Sequence, residues 1–331
     1  MKTRIFMVMA AAALVLAACS NDEETDNWAG EIRLSSGLTV QAESRSVETN
    51  LQATQIANGV HVGFFINEDV AGTPATTYTQ NLNYEATGKG GFDGTTVYFP
   101  QSNNGVNIYA YAPWKGKLVL NNSYDFTVES DQSEAENYIA SDLLWGQPMK
   151  QKQGSNPASY ESANPVARTK ENVNVTFKHL LSKVQVTLEP GDGLTAVDFK
   201  GATLSILGTK PTTSLTLKTG DISTASGEAT PIIAAKYPTN VPPTSLTASA
   251  IVVPQTIAKG TQFMQVHLAS GGDLFYTIPD GELDLALTLE SGKIYKYEIK
   301  VNLSGLTVTS TIADWETIGE GDPVEGTATM E

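Results

Sequence analysis

Large apolar side chains recur at every second position in short runs along most of this chain, and that period limits the fold more than any other feature. Ile32, Leu34, Leu38, Val40 and Ala42 alternate with polar residues. Val60, Val62, Phe64 and Ile66 repeat the pattern, as do Tyr297, Ile299, Val301 and Leu303. Successive side chains of a strand point to opposite faces, so this spacing predicts strands with one dry face and one wet face. Val, Ile, Thr, Tyr and Phe fill the runs, and Gly, Asn, Asp, Ser and Pro separate them. After residue 24 no long stretch carries the 3.6-residue period of an amphipathic helix. Short strands at regular spacing predict an all-β chain built as sandwiches. Its 331 residues suffice for two such domains.

Local signals add detail. Thr96–Pro100 and Val106–Ala112 flank Ser102-Asn103-Asn104-Gly105 and read as a hairpin, since Asn-Gly favours tight turns. Residues 118–128 read as another strand or two, and Asp131–Ile139 as a short helix or loop. Residues 146–172 are rich in Gln, Ser, Asn and Pro and read as a linker or long loop. The expected division is therefore an N-terminal sandwich over 30–172 and a C-terminal one over 173–331.

The N-terminus reads as an address. Lys2 and Arg4 precede Ile5–Ala18, 14 residues without a charge. A membrane span needs about 20 residues, so the run suits the apolar region of a secretory signal. It ends Leu16-Ala17-Ala18-Cys19, with the chain's single cysteine last. That ending resembles a bacterial lipobox, which implies removal of residues 1–18, a lipid on Cys19 and a tether over 19–29. Several acyl chains there would anchor the protein stably where one alone is marginal. By resemblance, Ser20 argues against inner-membrane retention, and Asp22, Glu23 and Glu24 resemble a surface-export signal of Bacteroidetes-type lipoproteins.

Little in the chain points to chemistry. With 21 Lys and Arg against 36 Asp and Glu the net charge is −15, which repels bare phosphate backbones and excludes nucleic acid as an expected partner. One cysteine permits no intrachain disulfide and no Cys-rich zinc site. No nucleophile elbow, zinc-protease helix, phosphate loop or calcium loop is present. His61 and His267 read as strand-surface residues. His179 reads either as a buried, hydrogen-bonded histidine pinning a chain crossing or as a general base, with the first favoured because no nucleophile motif accompanies it. Gly88–Gly94 reads as a hairpin loop, since its spacing misses the phosphate-binding fingerprints. Asp131 with Glu134 reads as a solvated acidic loop. Tyr111, Trp114 and Trp145 read as core or edge anchors before they read as a sugar-stacking platform. The expectation is no catalytic residue, no metal and no cofactor.

Several phrases occur in a telling order: Tyr98-Phe99-Pro100, Val106 through Pro113, Ser141-Asp142-Leu143-Leu144-Trp145, Val175 through Val186, Val253-Pro254-Gln255-Thr256, Gly292 through Tyr297, and Ile312-Ala313-Asp314-Trp315. Together with the lipobox this series resembles the fimbrillin family, the lipoprotein pilins of type V pili. The resemblance implies two transthyretin-like Greek-key β-sandwiches in tandem. It implies export to the outer membrane surface as a lipidated precursor. It also implies cleavage by an arginine-specific surface protease in the loop after the first strand. The matching bond here lies between Arg45 and Ser46. Arg33 lies within the strand pattern, where a protease has poor access.

Cleavage after Arg45 would free the first strand (30–43) with Ile32, Leu34, Leu38, Val40 and Ala42. At about 1.5–3 kcal/mol per large buried side chain, an upper estimate, several kcal/mol of burial would go with it. The groove and open edges left behind would suit a strand from another subunit. The family's donor is the C-terminal segment, here 311–331, with Ile312, Trp315, Ile318 and Val324 as candidate plugs. Residues 318–331 hold three Gly, one Pro and four acids and alternate poorly, so stalk, tip and anchor roles all stay open. The expected partners are other fimbrial subunits, with adhesion as the outcome. The alternative is an anchored surface lipoprotein, or a fimbrial tip adhesin, that binds a glycan or host receptor.

Overall fold

The computed structural model describes residues 28–36, 55–70, 79–154, 159–237, 246–269, 271–282, 285–302, 305–315 and 325–326. These are almost entirely β, as the period-2 runs require. The first half contains β1 (Leu34–Ser36), β2 (His61–Glu68), β3 (Thr79–Ala86), β4 (Phe92–Asp93), β5 (Val106–Ala112), β6 (Ser123–Thr127), helix α1 (Ala135–Ala140), β7 (Leu144–Gln151), β8 (Tyr160–Ser162) and β9 (Val173–His179). One sheet runs β1-β9-β7-β5-β2-β3-β4, with β8 added on β7.

The second half contains β10 (Ser182–Pro190), a 3-10 turn (Ala196–Phe199), β11 (Thr203–Ile206), β12 (Thr212–Thr216), β13 (Asp221–Ile222), β14 (Ile232–Ile233), β15 (Ala235–Tyr237) and β16 (Leu246–Val252). It continues with β17 (Gln255–Ile257), β18 (Gln262–His267), β19 (Asp273–Thr277), β20 (Leu287–Leu289), β21 (Lys293–Asn302), β22 (Gly305–Asp314) and β23 (Glu325–Gly326). Its larger sheet runs β15-β16-β10-β21-β22-β23 and a second runs β14-β11-β18-β19. β10 and β21 pair in parallel, while β21 and β22 pair antiparallel along their full length.

The alternation read from the sequence appears directly in burial. Along β9, Val173, Val175, Phe177 and His179 are buried while Asn174 and Lys178 are exposed. β2 differs, because six consecutive residues are buried and both faces are dry. Val62, Phe64 and Ile66 enter one hydrophobic cluster with Ile32, Val97, Phe99 and Phe177. Phe65 enters the other, which continues through Tyr111, Trp145, Leu181 and Val186 to Trp315. Gly63 allows this, since a Cβ there would lie 2.1 Å from the Tyr111 ring.

Two local expectations change, and a third is made definite. Thr96–Pro100 does not form a hairpin with β5, which pairs with β2 and β7 instead. The 97–99 segment lies against the N-terminal residues, through Ile32 N–H to the Val97 carbonyl and Phe99 N–H to the Gly30 carbonyl. Burial of Val97 and Phe99 beside Ile32 outweighs the local turn preference. The polar stretch after Gly146 is not wholly loop. Its start belongs to β7, where Gly146, Gln147 and Pro148 pair with β9, and Tyr160–Ser162 forms β8. Neighbouring strands override the weak propensity of Gln and Gly there. Asp131–Ile139 resolves into a turn followed by α1.

The chain crosses between halves twice. β9 follows the division drawn at 172 and 173 yet closes the first sheet beside β7. β6 leaves that sheet and pairs antiparallel with β12, from Thr127 opposite Thr212 to Ser123 opposite Thr216.

Candidate functional site

The first described segment, Trp28–Ser36, lies between two other pieces of backbone. On one side Leu34, Ser35 and Ser36 run parallel to Val173, Asn174 and Val175, and the Val173 N–H donates to the Arg33 carbonyl at 2.7 Å. On the other side the Ile32 N–H donates to Val97 at 2.7 Å, and the Ser36 N–H to Gly90 at 2.8 Å. Ile32 is 7% exposed within the first-sheet core, and Leu34 packs against the same cluster. Among the described residues this segment therefore covers two edges at once, that of β9 and that of the 90–99 stretch.

An aromatic clamp fixes the start of the segment. Trp28 meets Phe99 edge-on at 6.3 Å, and the Arg168 guanidinium sits 4.9 Å from the Trp28 ring centroid. Arg168 occupies the place where a side chain at residue 30 would be, since a Cβ there would lie 2.3 Å from its Nη2. Gly30 also has φ +95°, a conformation that favours glycine. Gly30→Ala should lower the stability of the uncut chain by about 1–3 kcal/mol. Urea unfolding checks this. Adding Arg168→Ala should recover only the steric part, because the backbone strain stays.

The second site is a buried junction built from four of the ordered sequence phrases. His179, at the end of β9, donates from Nδ1 to the Asp142 carboxylate at 2.8 Å, and both side chains are almost fully buried. The proton sits on Nδ1 because a carboxylate faces it. Trp315 stacks on the His179 ring at 3.8 Å with an interplanar angle of 9°. The buried Lys183 places Nζ 6.0 Å from the Trp315 ring centroid. Loop bonds close the cluster: Trp315 N–H to the Gly292 carbonyl at 2.7 Å and Ser291 Oγ to the Leu180 carbonyl at 2.7 Å. Lys293 bonds Asp314, whose carboxylate holds the ammonium above its ordinary pKa. The His179 ring meets Asp142 and Trp315, and Ser291 Oγ is turned to the Leu180 carbonyl, so His179 acts here as a pin between chain segments.

The other candidates find plain roles. His61 and His267 are exposed and bond Asn83 and Asp273. Tyr111 and Trp145 are core residues. Burial pushes the Tyr111 hydroxyl up to about 12, and the Trp145 indole N–H donates to the Leu217 carbonyl at 2.8 Å. Trp114 is half-buried with its N–H directed at the Asn81 carbonyl. These three rings form no exposed stacking platform. The 88–91 turn joins β3 to β4. Among the described residues no group of His, Cys, Asp and Glu could hold a metal ion.

Ile32 and Leu34 thus stand in the segment read from the sequence. Ile312 lies in β22, and Trp315 is 6% exposed against His179. Cys19, Leu38, Val40, Ala42, Arg45, Ser46, Ile318 and Val324 lie outside the described residues. The clamp of Trp28, Gly30 and Arg168 escaped the sequence reading. Its only signal was that Arg168 is one of four arginines in the chain.

Comparison with known proteins agrees with this geometry. Over its whole length the chain is 24% identical to the Fim1C protein of Bacteroides uniformis, provisionally described as a fimbrium subunit, covering 99% of this chain and 100% of that one. A crystal structure from Bacteroides uniformis, provisionally described as a cell adhesion protein, superposes with a TM-score of 0.61 at 21% identity, over 87% of this chain and 98% of that one. A similarly described Bacteroides ovatus protein gives 0.61 at 18% identity, over 86% and 97%. The fimbrillin-like family model matches residues 49–315. That span holds β2 to β22 and the His179 junction, and by it the chain belongs to the fimbrillin-like family.

Proposed function

We propose that this protein is a structural subunit of a cell-surface fimbria that serves adhesion. In this reading it consists of two transthyretin-like sandwiches in tandem, the boundary expected at 172 and 173 moving past β9, which belongs to the first sheet. It reaches the outer membrane as a surface lipoprotein lipidated on Cys19. An arginine-specific protease cuts between Arg45 and Ser46, the first strand leaves, and the 311–331 segment of the next subunit takes its place by donor-strand exchange. The observation that carries the reading is the double-edged seating of Trp28–Ser36 with Ile32 in the core, because removing that segment opens two edges and an apolar slot together. The family match agrees with it. Its span of 49–315 leaves out the first strand and the part of the donor segment beyond Trp315. Within the donor, Trp315 marks the point of departure, since its ring stays with His179 of its own chain. Ile318 and Val324 are then the residues free to plug a neighbour.

The test uses soluble protein spanning residues 20–331. Treatment with an arginine-specific protease should give a new N-terminus at Ser46 and a ladder of oligomers on an unboiled denaturing gel. Arg45→Ala should abolish both. A ladder from that variant equal to wild type would sink the proposal. Clean cleavage with no ladder would instead indicate a tip or cap subunit.

A further inference from the structure

Arginine is scarce in this chain and stands only at positions 4, 33, 45 and 168. In the proposed maturation Arg4 goes with the signal segment, and Arg33 and Arg45 go with the piece released by the cut. Arg168 is then the single arginine of the mature subunit, and its surroundings decide whether an arginine-specific protease stops after one cut.

Arg168 lies on a surface segment. Residues 167–172 belong to no helix or strand, and Ala167, Arg168, Lys170, Glu171 and Asn172 are exposed. Endoproteases cut such segments, because the backbone can be drawn out into the extended form that they bind. Two anchors restrain this one. Val166 exchanges backbone bonds with Val106 at 2.8 and 2.9 Å, and the Val173 N–H donates to the Arg33 carbonyl at 2.7 Å. The first anchor belongs to the body of the sheet and the second to the first segment. The ladder with β7 reaches β9 only from Val175 onward. Without the first segment, the loosely held stretch therefore lengthens from 167–172 to 167–174. The first segment also holds the side chain. The guanidinium lies 4.9 Å from the Trp28 ring centroid, in the space left open by Gly30. A protease that selects arginine must draw this head group into its own pocket, so Trp28 competes with the enzyme for it.

We infer that the Arg168–Thr169 bond is a second site for arginine-specific proteolysis, masked by the seated first segment and opened when that segment leaves. The step is a hydrolysis: water adds across the peptide bond, leaving a carboxylate on Arg168 and an amine on Thr169. The inference rests on the proposed maturation for the event that opens the site, and gives that event a consequence. A subunit that has lost its first strand and gained no replacement is open to a second cut. That cut puts β2 to β8 on one fragment and β9 to β23 on the other, and so divides the first sheet between β7 and β9. A strand that refills the edge of β9 restores the support at Val173 and spares the subunit.

The test uses protein spanning residues 20–331 with Arg45→Ala, so that the first segment stays joined to the chain. It is treated with an arginine-specific protease, and mass spectrometry follows the fragment that begins at Thr169. Trp28→Ala in this background should speed its appearance at least about tenfold, since cleavage tracks the population of the opened segment. Trp28→Phe keeps a ring face for the guanidinium and should stay within about threefold of the parent. Leu204→Ala, in the buried core of β11 and away from the clamp, should lower the urea midpoint and leave the rate near that of the parent. Equal rates with and without the Trp28 ring would overturn the inference, as would an Arg168 bond that resists in every variant. Cutting sped as much by Leu204→Ala as by Trp28→Ala would also overturn it, by making general unfolding the cause. The two readings fail separately. Resistance at Arg168 in every variant, with the native chain still forming its ladder, removes the second site and leaves strand exchange standing. Trp28-dependent cutting at Arg168 without a ladder from the native chain does the reverse.

Discussion

Replacing His179 with alanine should lower the unfolding free energy by about 3–5 kcal/mol, the scale for truncating a large buried ring and leaving its buried polar partner unsatisfied. The Asp142 carboxylate would lose the imidazole N–H at 2.8 Å while staying out of water. Trp315 would lose the ring it stacks on at 3.8 Å, and a cavity would open in the larger core. Urea denaturation reads this as a fall in midpoint with little change in slope. Asp142→Asn keeps a hydrogen-bond acceptor, removes the charge and should cost less. The double variant should cost less than the sum of the singles, by about 0.5–3 kcal/mol, because the two residues act on each other. A midpoint unmoved by His179→Ala would mean that the junction does not hold the halves together.

Ile32→Asp should destabilise the uncut chain by about 2–5 kcal/mol, the scale for losing a large buried aliphatic side chain. Detachment of the segment limits the cost, because Trp28–Ser36 can leave its seat sooner than bury a carboxylate. The same substitution should have no effect on the stability of protein cut after Arg45 and assembled, since that product lacks residue 32. Urea midpoints before and after cleavage measure the difference. A loss that persists after cleavage would show that the first segment stays seated and that strand exchange does not follow the cut.

The strands were legible because alternation is a local property. β9 and β21 show in their burial the period that the residues carry. What went unread depends on contacts distant in sequence. The 97–99 segment prefers Gly30 and Ile32 to its neighbour β5, and no local turn signal reports which core will take Val97 and Phe99. Gly146 and Gln147 look like loop residues until β5 and β9 flank them. The junction was half legible. Asp142, His179 and Trp315 each sit in a phrase that carried the family resemblance, yet their meeting depends on closure of the whole chain. The clamp at Gly30 depends on a backbone angle and one arginine, and neither leaves a period to read.

The pairing of β6 with β12 has a mechanical consequence. A filament subunit carries tension between the neighbour it receives and the neighbour it enters. In this chain a ribbon from the first half is stitched to the second over five consecutive residue pairs, and its Tyr124 and Phe126 lie in the same core as Trp315. Tension between the ends therefore meets a rung-by-rung ladder and a shared apolar interior before it can draw the halves apart. In the strand-exchange reading, a pull transmitted through the subunit would therefore be borne by one body and not by a hinge between its halves.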